Sequence, residues 1–150
     1  MKTIVINKKA SFNYNIDEKY EAGLDLSGSE VKSLRNSMIS ITESYIAEKN
    51  SELWLFNCHI NKYKSSSEKK YNPTKKRKIL LKKKEQLKII GSTNKNGFSA
   101  IPISLFFNKN GFAKVLIGLG KGKKKYDKRE KIKKNEWNRQ KQRLLKSKNQ

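Results

Sequence analysis

The 150-residue chain contains one cysteine, one histidine, two prolines and only 13 acidic residues. Each shortage excludes something. With Cys58 alone, no intramolecular disulfide can form, which fits a reducing compartment. Cys58 and His59 adjoin in LFNCHI, but zinc needs roughly four ligands and no others accompany them. The pair reads as core or near-core filling, not as a dyad or metal site. No apolar run approaches the ~20 residues of a membrane span. The opening MKTIVINKKASFNY has too brief an apolar segment for a signal peptide, so the expected location is the cytoplasm.

Catalytic motifs are equally scarce. GLGKGK at 118–123 fits neither G-x-x-x-x-G-K-[ST] nor G-x-G-x-x-G, and reads as a flexible exit from a strand. Glu30, Glu43, Glu48 and Glu52 form no recognisable acid–base pair, and helix-start and turn roles explain them. One histidine without an acidic cluster argues against a two-metal nuclease. The expectation is a protein that is not an enzyme and takes neither metal nor cofactor.

Positive charge is what the sequence has. Lysine and arginine number 36, for a formal net charge of +23. From Leu119 onward there are 14 of them against three acids, Asp127, Glu130 and Glu136. Self-repulsion on that scale opposes compaction until a polyanion neutralises it. Three basic clusters stand out: Lys8 and Lys9, the run 75–84, and the tail. Near them lie Tyr14, Tyr63, Tyr71, Tyr126 and Trp137, aromatics of the kind that stack on unpaired bases. Tyr14 has a plainer reading, as a member of the core face of its strand. In the tail, Trp137, Lys141 and Leu144 recur at helical spacing, yet nothing else there can bury Trp137 and Leu144. The tail is therefore expected to be disordered when free and helical when bound.

Before the tail the patterning is mostly that of strands. FNYNI (12–16) alternates, as does GLDLSG (23–28), and SEVKSLRNSM (29–38) reads as a short helix with Ser29 as N-cap. Residues 39–63 read as two β-branched and aromatic runs broken at 48–51. The stretch 62–78 is polar and Ser-rich, with Pro73, and reads as an exposed loop. Residues 79–90 look helical, with Leu80, Leu87 and Ile90 burying one edge. FSAIPISLFFNKNGFAKVLIGLG (98–120) is the clearest hairpin. There Ile101, Ile103, Leu105 and Phe107 face one way before the turn, as do Ala113, Val115, Ile117 and Leu119 after it. The expected fold is mainly β: a small antiparallel barrel of the oligonucleotide-binding (OB) kind, with two or three short helices. It would span 1–118, with a basic tail at 119–150.

Taken in order, NKKASFNYNI, EAGLDLSGSEVKSLR, ESYIAEKNSELWLFNCHI, NPTKKRKILL and GLGKGKKKYDKRE make the chain resemble the SsrA-binding protein family (small protein B, SmpB). The resemblance covers nearly the whole chain. It implies a non-enzymatic adaptor that binds the tRNA-like domain of transfer-messenger RNA (tmRNA) and delivers it to stalled ribosomes for trans-translation. The implied RNA contacts are Lys8 and Lys9, then Glu30, Lys32 and Arg35 of GSEVKSLR. Arg77, Lys78, Leu80 and Lys82 follow in the middle run, and Lys121, Lys123 and Lys124 before the tail. Lys82 stands where relatives often carry Asn or His, which favours a phosphate contact there over a base-edge contact. The implied ribosome contacts are Tyr126, stacking in the decoding centre, and Asp127, Lys128 and Arg129, gripping ribosomal RNA. Trp137 and Leu144 would face the mRNA channel. Elongation factor Tu would be met through the tmRNA complex, and the protein would be a monomer with no membrane partner. Composition alone also admits a non-specific basic nucleic-acid-binding or ribosome-associated structural protein. A membrane-surface role is disfavoured by the narrow apolar face of Trp137, Leu144 and Leu145.

Overall fold

A computed structural model describes residues 2–64, 70–94, 97–123 and 125–148. In chain order the elements are β1 (Lys2–Ile6), α1 (Lys8–Asn13), β2 (Tyr14–Leu24), α2 (Gly28–Arg35) and β3 (Ile39–Ser40). Next come β4 (Tyr45–Lys49), β5 (Glu52–Phe56), β6 (His59–Ile60) and β7 (Arg77–Leu80). The last are α3 (Lys83–Thr93), β8 (Phe98–Phe107), β9 (Ala113–Gly122) and α4 (Lys125–Lys148). Seven strands form one antiparallel sheet in the order β1-β8-β9-β2-β7-β5-β4, and β3 pairs with β6 beside it. The sheet curls until β4 lies against β8 without a ladder between them. This is the mainly β, antiparallel architecture expected. Its interior is filled by Leu53, Leu55, Ile79, Leu105, Val115 and Ile117, among others.

Tight turns set the register. Asn50 and Ser51 both have positive φ (55° and 63°), the backbone that joins two right-twisted strands through two residues. They connect β4 to β5, with Lys49 opposite Glu52. At the β8–β9 turn the Asn108 side chain accepts from the Asn110 and Phe112 backbone amides, and Gly111 supplies φ +80°. Gly120 has a different task. A bulge between Ile16 and Glu18 presses β2 onto β9, so that no Cβ fits at Gly120 against the Asn15 carbonyl.

Several expectations need correction. Phe12 belongs to α1, not to a strand, because Asn7 caps a helix there by accepting from the Lys9 amide. The two short strands expected at 12–16 and 23–28 are replaced by one, β2, which ends at Leu24. The cap of α2 is Ser27 and not Ser29. Ser27 and Glu30 form a capping box in which each side chain serves the other's backbone amide. Residues 79–80 are strand, not helix: Arg77 and Ile79 point inward while Lys78 and Leu80 point out, a period of two. Consequently α3 starts at Lys83 and buries Ile89, leaving Leu80 and Leu87 exposed. In β8 a bulge between Pro102 and Ser104 adds one residue and reverses the alternation. Ala100, Leu105 and Phe107 therefore share the core, while Ile103 lies over Gly118 on the opposite face of the sheet from Ile117. Across the turn, Val115, Ile117 and Leu119 are buried together as expected. Because β9 runs on to Gly122, the position 118/119 falls inside a strand.

Candidate nucleic-acid interface

The chemistry of the site begins under the surface. Glu30 and Arg77 are each 2% exposed. Arg77 donates from Nε to Glu30 Oε2 at 2.6 Å, from one terminal nitrogen to the Cys58 carbonyl, and from the other to the Pro73 carbonyl and the Tyr71 hydroxyl. Glu30 also accepts from the Tyr71 hydroxyl and the Ser27 amide, with Lys75 Nζ at 3.6 Å. Burial pushes the Glu30 carboxyl up, but the Ser27 amide, Arg77 and Lys75 hold it below the ordinary glutamate value. Tyr71 moves the other way, to about 12, through burial and the negative charge of Glu30. The network ties α2 to β7 and to the Tyr71–Pro73 segment, leaving both charges internal. Glu30 and Arg77, almost wholly buried, thus hold this surface in place from beneath it.

This network forms the floor of a cleft of about 400 Å³, where Ser27, Glu30 and Arg77 join a lining of Asp25, Leu26, Trp54, Lys75, Lys76 and Lys78. The strand register explains its composition. Leu53 and Leu55 of β5 enter the core, so Trp54 and Phe56 face out. Trp54 is paired with Lys78 on one side and Ala47 on the other, and Phe56 is paired with Tyr45. The Tyr45 and Phe56 rings stack with centroids 5.3 Å apart and planes 13° from parallel. Lys76 Nζ stands 4.5 Å above the Trp54 ring, and Lys78 Nζ is 3.3 Å from Glu52. Leu80, 49% exposed, lies opposite Gly23 at the β2 margin of this face. Lys82 is exposed at the start of α3.

A second basic group gathers where α1 meets the end of β9. Lys123 donates its backbone amide to the Asn13 carbonyl and its Nζ to the Ser11 carbonyl, both at 2.8 Å. Lys121 Nζ lies 4.9 Å above the Phe98 ring, while Lys8 and Lys9 are exposed on α1. Lys9 also reaches Glu43 at 3.7 Å. On α2, Lys32 lies over the Tyr63 ring and Arg35 over the Phe107 ring. Tyr14 is partly exposed at the first pair of the β2–β9 ladder, beside this group.

The tail segment 125–148 is helical, as α4. Arg129, Trp137 and Leu144 are exposed on it, and Lys141 Nζ sits 5.5 Å from the Trp137 ring. Lys124 and the side chains of Tyr126, Asp127 and Lys128 lie outside the described residues.

Sequence reasoning passed over Trp54, Tyr45 and Phe56, and took Lys76 only as a member of the basic run 75–84. The alternation in ELWLF separates Leu53 and Leu55 from Trp54 and Phe56, and the fold decides which pair faces solvent.

Comparison with known proteins supplies the context. A family model described as SmpB protein matches residues 4–147. An SsrA-binding protein of Ehrlichia canis (strain Jake) is 51% identical over 145 residues, covering 97% of this chain and 98% of that one. An SsrA-binding protein of Wolbachia pipientis wMel is 50% identical over 147 residues, covering 98% and 99%. Among solved structures, a chain described as "tmRNA-SmpB: a journey to the center of the bacterial ribosome" superposes with a TM-score of 0.67. It is 38% identical, with 85% of this chain and 93% of that chain covered.

Proposed function

The chain belongs to the SmpB protein family, and on that premise we propose that it is a non-enzymatic adaptor for tmRNA. The barrel binds the tRNA-like domain, and α4 enters the ribosome, so that tmRNA reaches ribosomes stalled without a stop codon. The observation that carries this reading is end-to-end similarity, at about half identity, to SsrA-binding proteins. The geometry supports it with two groups of exposed lysines, one beside outward aromatics and one at the root of α4.

The barrel, 1–118 with the last residues of β9, acts as the RNA-binding unit, with Lys8, Lys9, Lys78, Lys82, Lys121, Lys123 and Lys124 meeting phosphates. Lys32 and Arg35 add charge from α2. Leu80 offers an apolar contact. Glu30 and Arg77 act by shaping the surface. In the tail, Tyr126, Asp127, Lys128 and Arg129 engage the decoding centre, and Trp137 and Leu144 the mRNA channel. The protein works in the cytoplasm as a monomer, and elongation factor Tu joins through the RNA. Peptide transfer belongs to the ribosome, aminoacylation to a synthetase and GTP hydrolysis to the elongation factor, which leaves no reaction for this chain.

The test is to recover the protein from cell extract at moderate salt and sequence the RNA that accompanies it. Enrichment of tmRNA over bulk transfer and ribosomal RNA is the expected result. Equal recovery of duplex DNA and unrelated RNA would support a non-specific coating protein instead.

A further inference from the structure

The outward side of the β4–β5–β7 sheet segment is unusual for a solvent face. Such faces normally carry polar side chains, because one side of an antiparallel sheet packs on the core and the other meets water. Here Tyr45, Trp54 and Phe56 occupy neighbouring outward positions, and Tyr45 is 53% exposed. Leu80 extends the apolar surface one strand further. Lys76 and Lys78 are interleaved with the rings.

We propose that this face is a stacking platform for unpaired bases of the bound RNA, centred on Trp54. The proposal rests on the RNA-adaptor reading and adds to it which part of the RNA is held and by what. The ring of Trp54 is fixed before any ligand arrives: its indole Nε1 donates to the Lys49 carbonyl at 3.2 Å, and its backbone is paired on both sides. Over that fixed ring stands the Lys76 ammonium, which holds the position a base would take. When a nucleotide enters, Lys76 moves from the ring to the adjoining phosphate and the base lies on the indole. Lys78, paired with Trp54 across the ladder, takes the next phosphate. The near-parallel Tyr45–Phe56 pair offers a second flat surface along the same path.

The rim decides the occupant. An amphipathic protein segment requires a groove whose apolar floor is continuous and dry, whereas this floor has Lys76 over the Trp54 ring and Lys78 beside it in the ladder. A paired helix hides the faces of its bases, so the ligand is single-stranded. Rings interleaved with cations are the pattern by which single strands are held.

The experiment uses the full chain carrying Trp137→Phe, which leaves Trp54 as the one indole. A transcript of the tRNA-like domain is titrated while fluorescence anisotropy of the labelled RNA and Trp54 emission are followed together. Stacking quenches Trp54 in step with binding. Binding with Trp54 emission unchanged overturns the proposal, and absence of any binding indicts the adaptor reading instead. In the otherwise natural chain, Trp54→Ala and Trp54→Leu should each weaken binding roughly tenfold, while Trp54→Phe stays near the parent. Thermal unfolding of each variant is followed in parallel. If Leu serves as well as Phe, the face is merely apolar and the stacking assignment fails. Loss of ribosome association with RNA affinity intact would make it a protein contact, which also overturns it.

Discussion

Arg77 Nε lies 2.6 Å from Glu30 Oε2, and the two residues join β7 to the first turn of α2 across 47 positions of sequence. Each charge is internal, and each of the three Arg77 guanidinium nitrogens has an acceptor. Removing Glu30 would strand Arg77 as a buried cation, and removing Arg77 would leave Glu30 with Lys75, 3.6 Å away, in its place.

Glu30→Gln or Arg77→Met should therefore destabilise the barrel by about 3–5 kcal/mol. Glu30→Lys should be worse, since it places a second cation against Arg77. Urea unfolding measures the first two, and soluble yield the third. A Glu30→Lys chain with parental stability would show that the network carries no structural weight.

The Glu30 carboxyl, held below its ordinary value, also makes a pH prediction. Its folded-state proton affinity is lower than in the unfolded chain, so its contribution is fully present above the unfolded value of about 4.3. That contribution should be lost as pH falls from there through the depressed folded value. Unfolding midpoints measured between neutral pH and strongly acidic conditions should decline in this window. The same series in Glu30→Gln should start lower and decline less, which separates Glu30 from the other carboxylates.

Cys58 is fully buried, and burial pushes its thiol up to about 11. At mildly alkaline pH very little thiolate exists, and what exists is shielded, so alkylation of the folded protein should be slow. Unfolding in urea should bring the rate to that of a free cysteine. Rapid modification of the native protein would contradict the complete burial of this residue.

Lys123 is bonded to α1 and Lys121 lies over the Phe98 ring, neither entering the core. If each neutralises a phosphate, substitution by Ala should weaken RNA binding and reduce the slope of log affinity against log salt by roughly one for each lysine replaced. Binding isotherms at several salt concentrations give that slope. An unchanged slope would remove these lysines from the interface.

Ending the chain at Lys125 should leave the barrel folded and RNA-binding, because the β2–β9 ladder is complete by Gly122. Tagging of stalled peptides in a reconstituted translation system should disappear. Tagging by the shortened chain would refute the assignment of the ribosomal role to α4.

The sequence revealed hairpins better than strand ends. The 98–120 hairpin and the break near Asn50 were legible because Asn-Gly and Asn-Ser mark positive-φ turns, which are local chemistry. The bulge in β8 was not legible, since one extra residue is defined only by its partner strand, and it moved Ile103 to the other face. The strand at 77–80 was concealed because its inward position is an arginine, apolar neither in composition nor in pattern. Only the carboxylate 47 residues earlier makes Arg77 a core residue. The same long-range pairing hid the burial of Glu30, whose resemblance to an RNA-binding position was visible in the sequence. Motif reading found the lysines of the surface. It missed Trp54, because a lone aromatic between two leucines reads as core until the strand's facing is known.

Lys123 clips the end of the sheet to α1 by two bonds, two positions ahead of Lys125 at the base of α4. A 24-residue helix rising 1.5 Å per residue extends about 36 Å. The clip therefore works as an anchor bolt for a boom of fixed reach. On the proposed adaptor reading, cargo seated on the barrel and whatever the boom's far end probes are kept within one arm's length of each other.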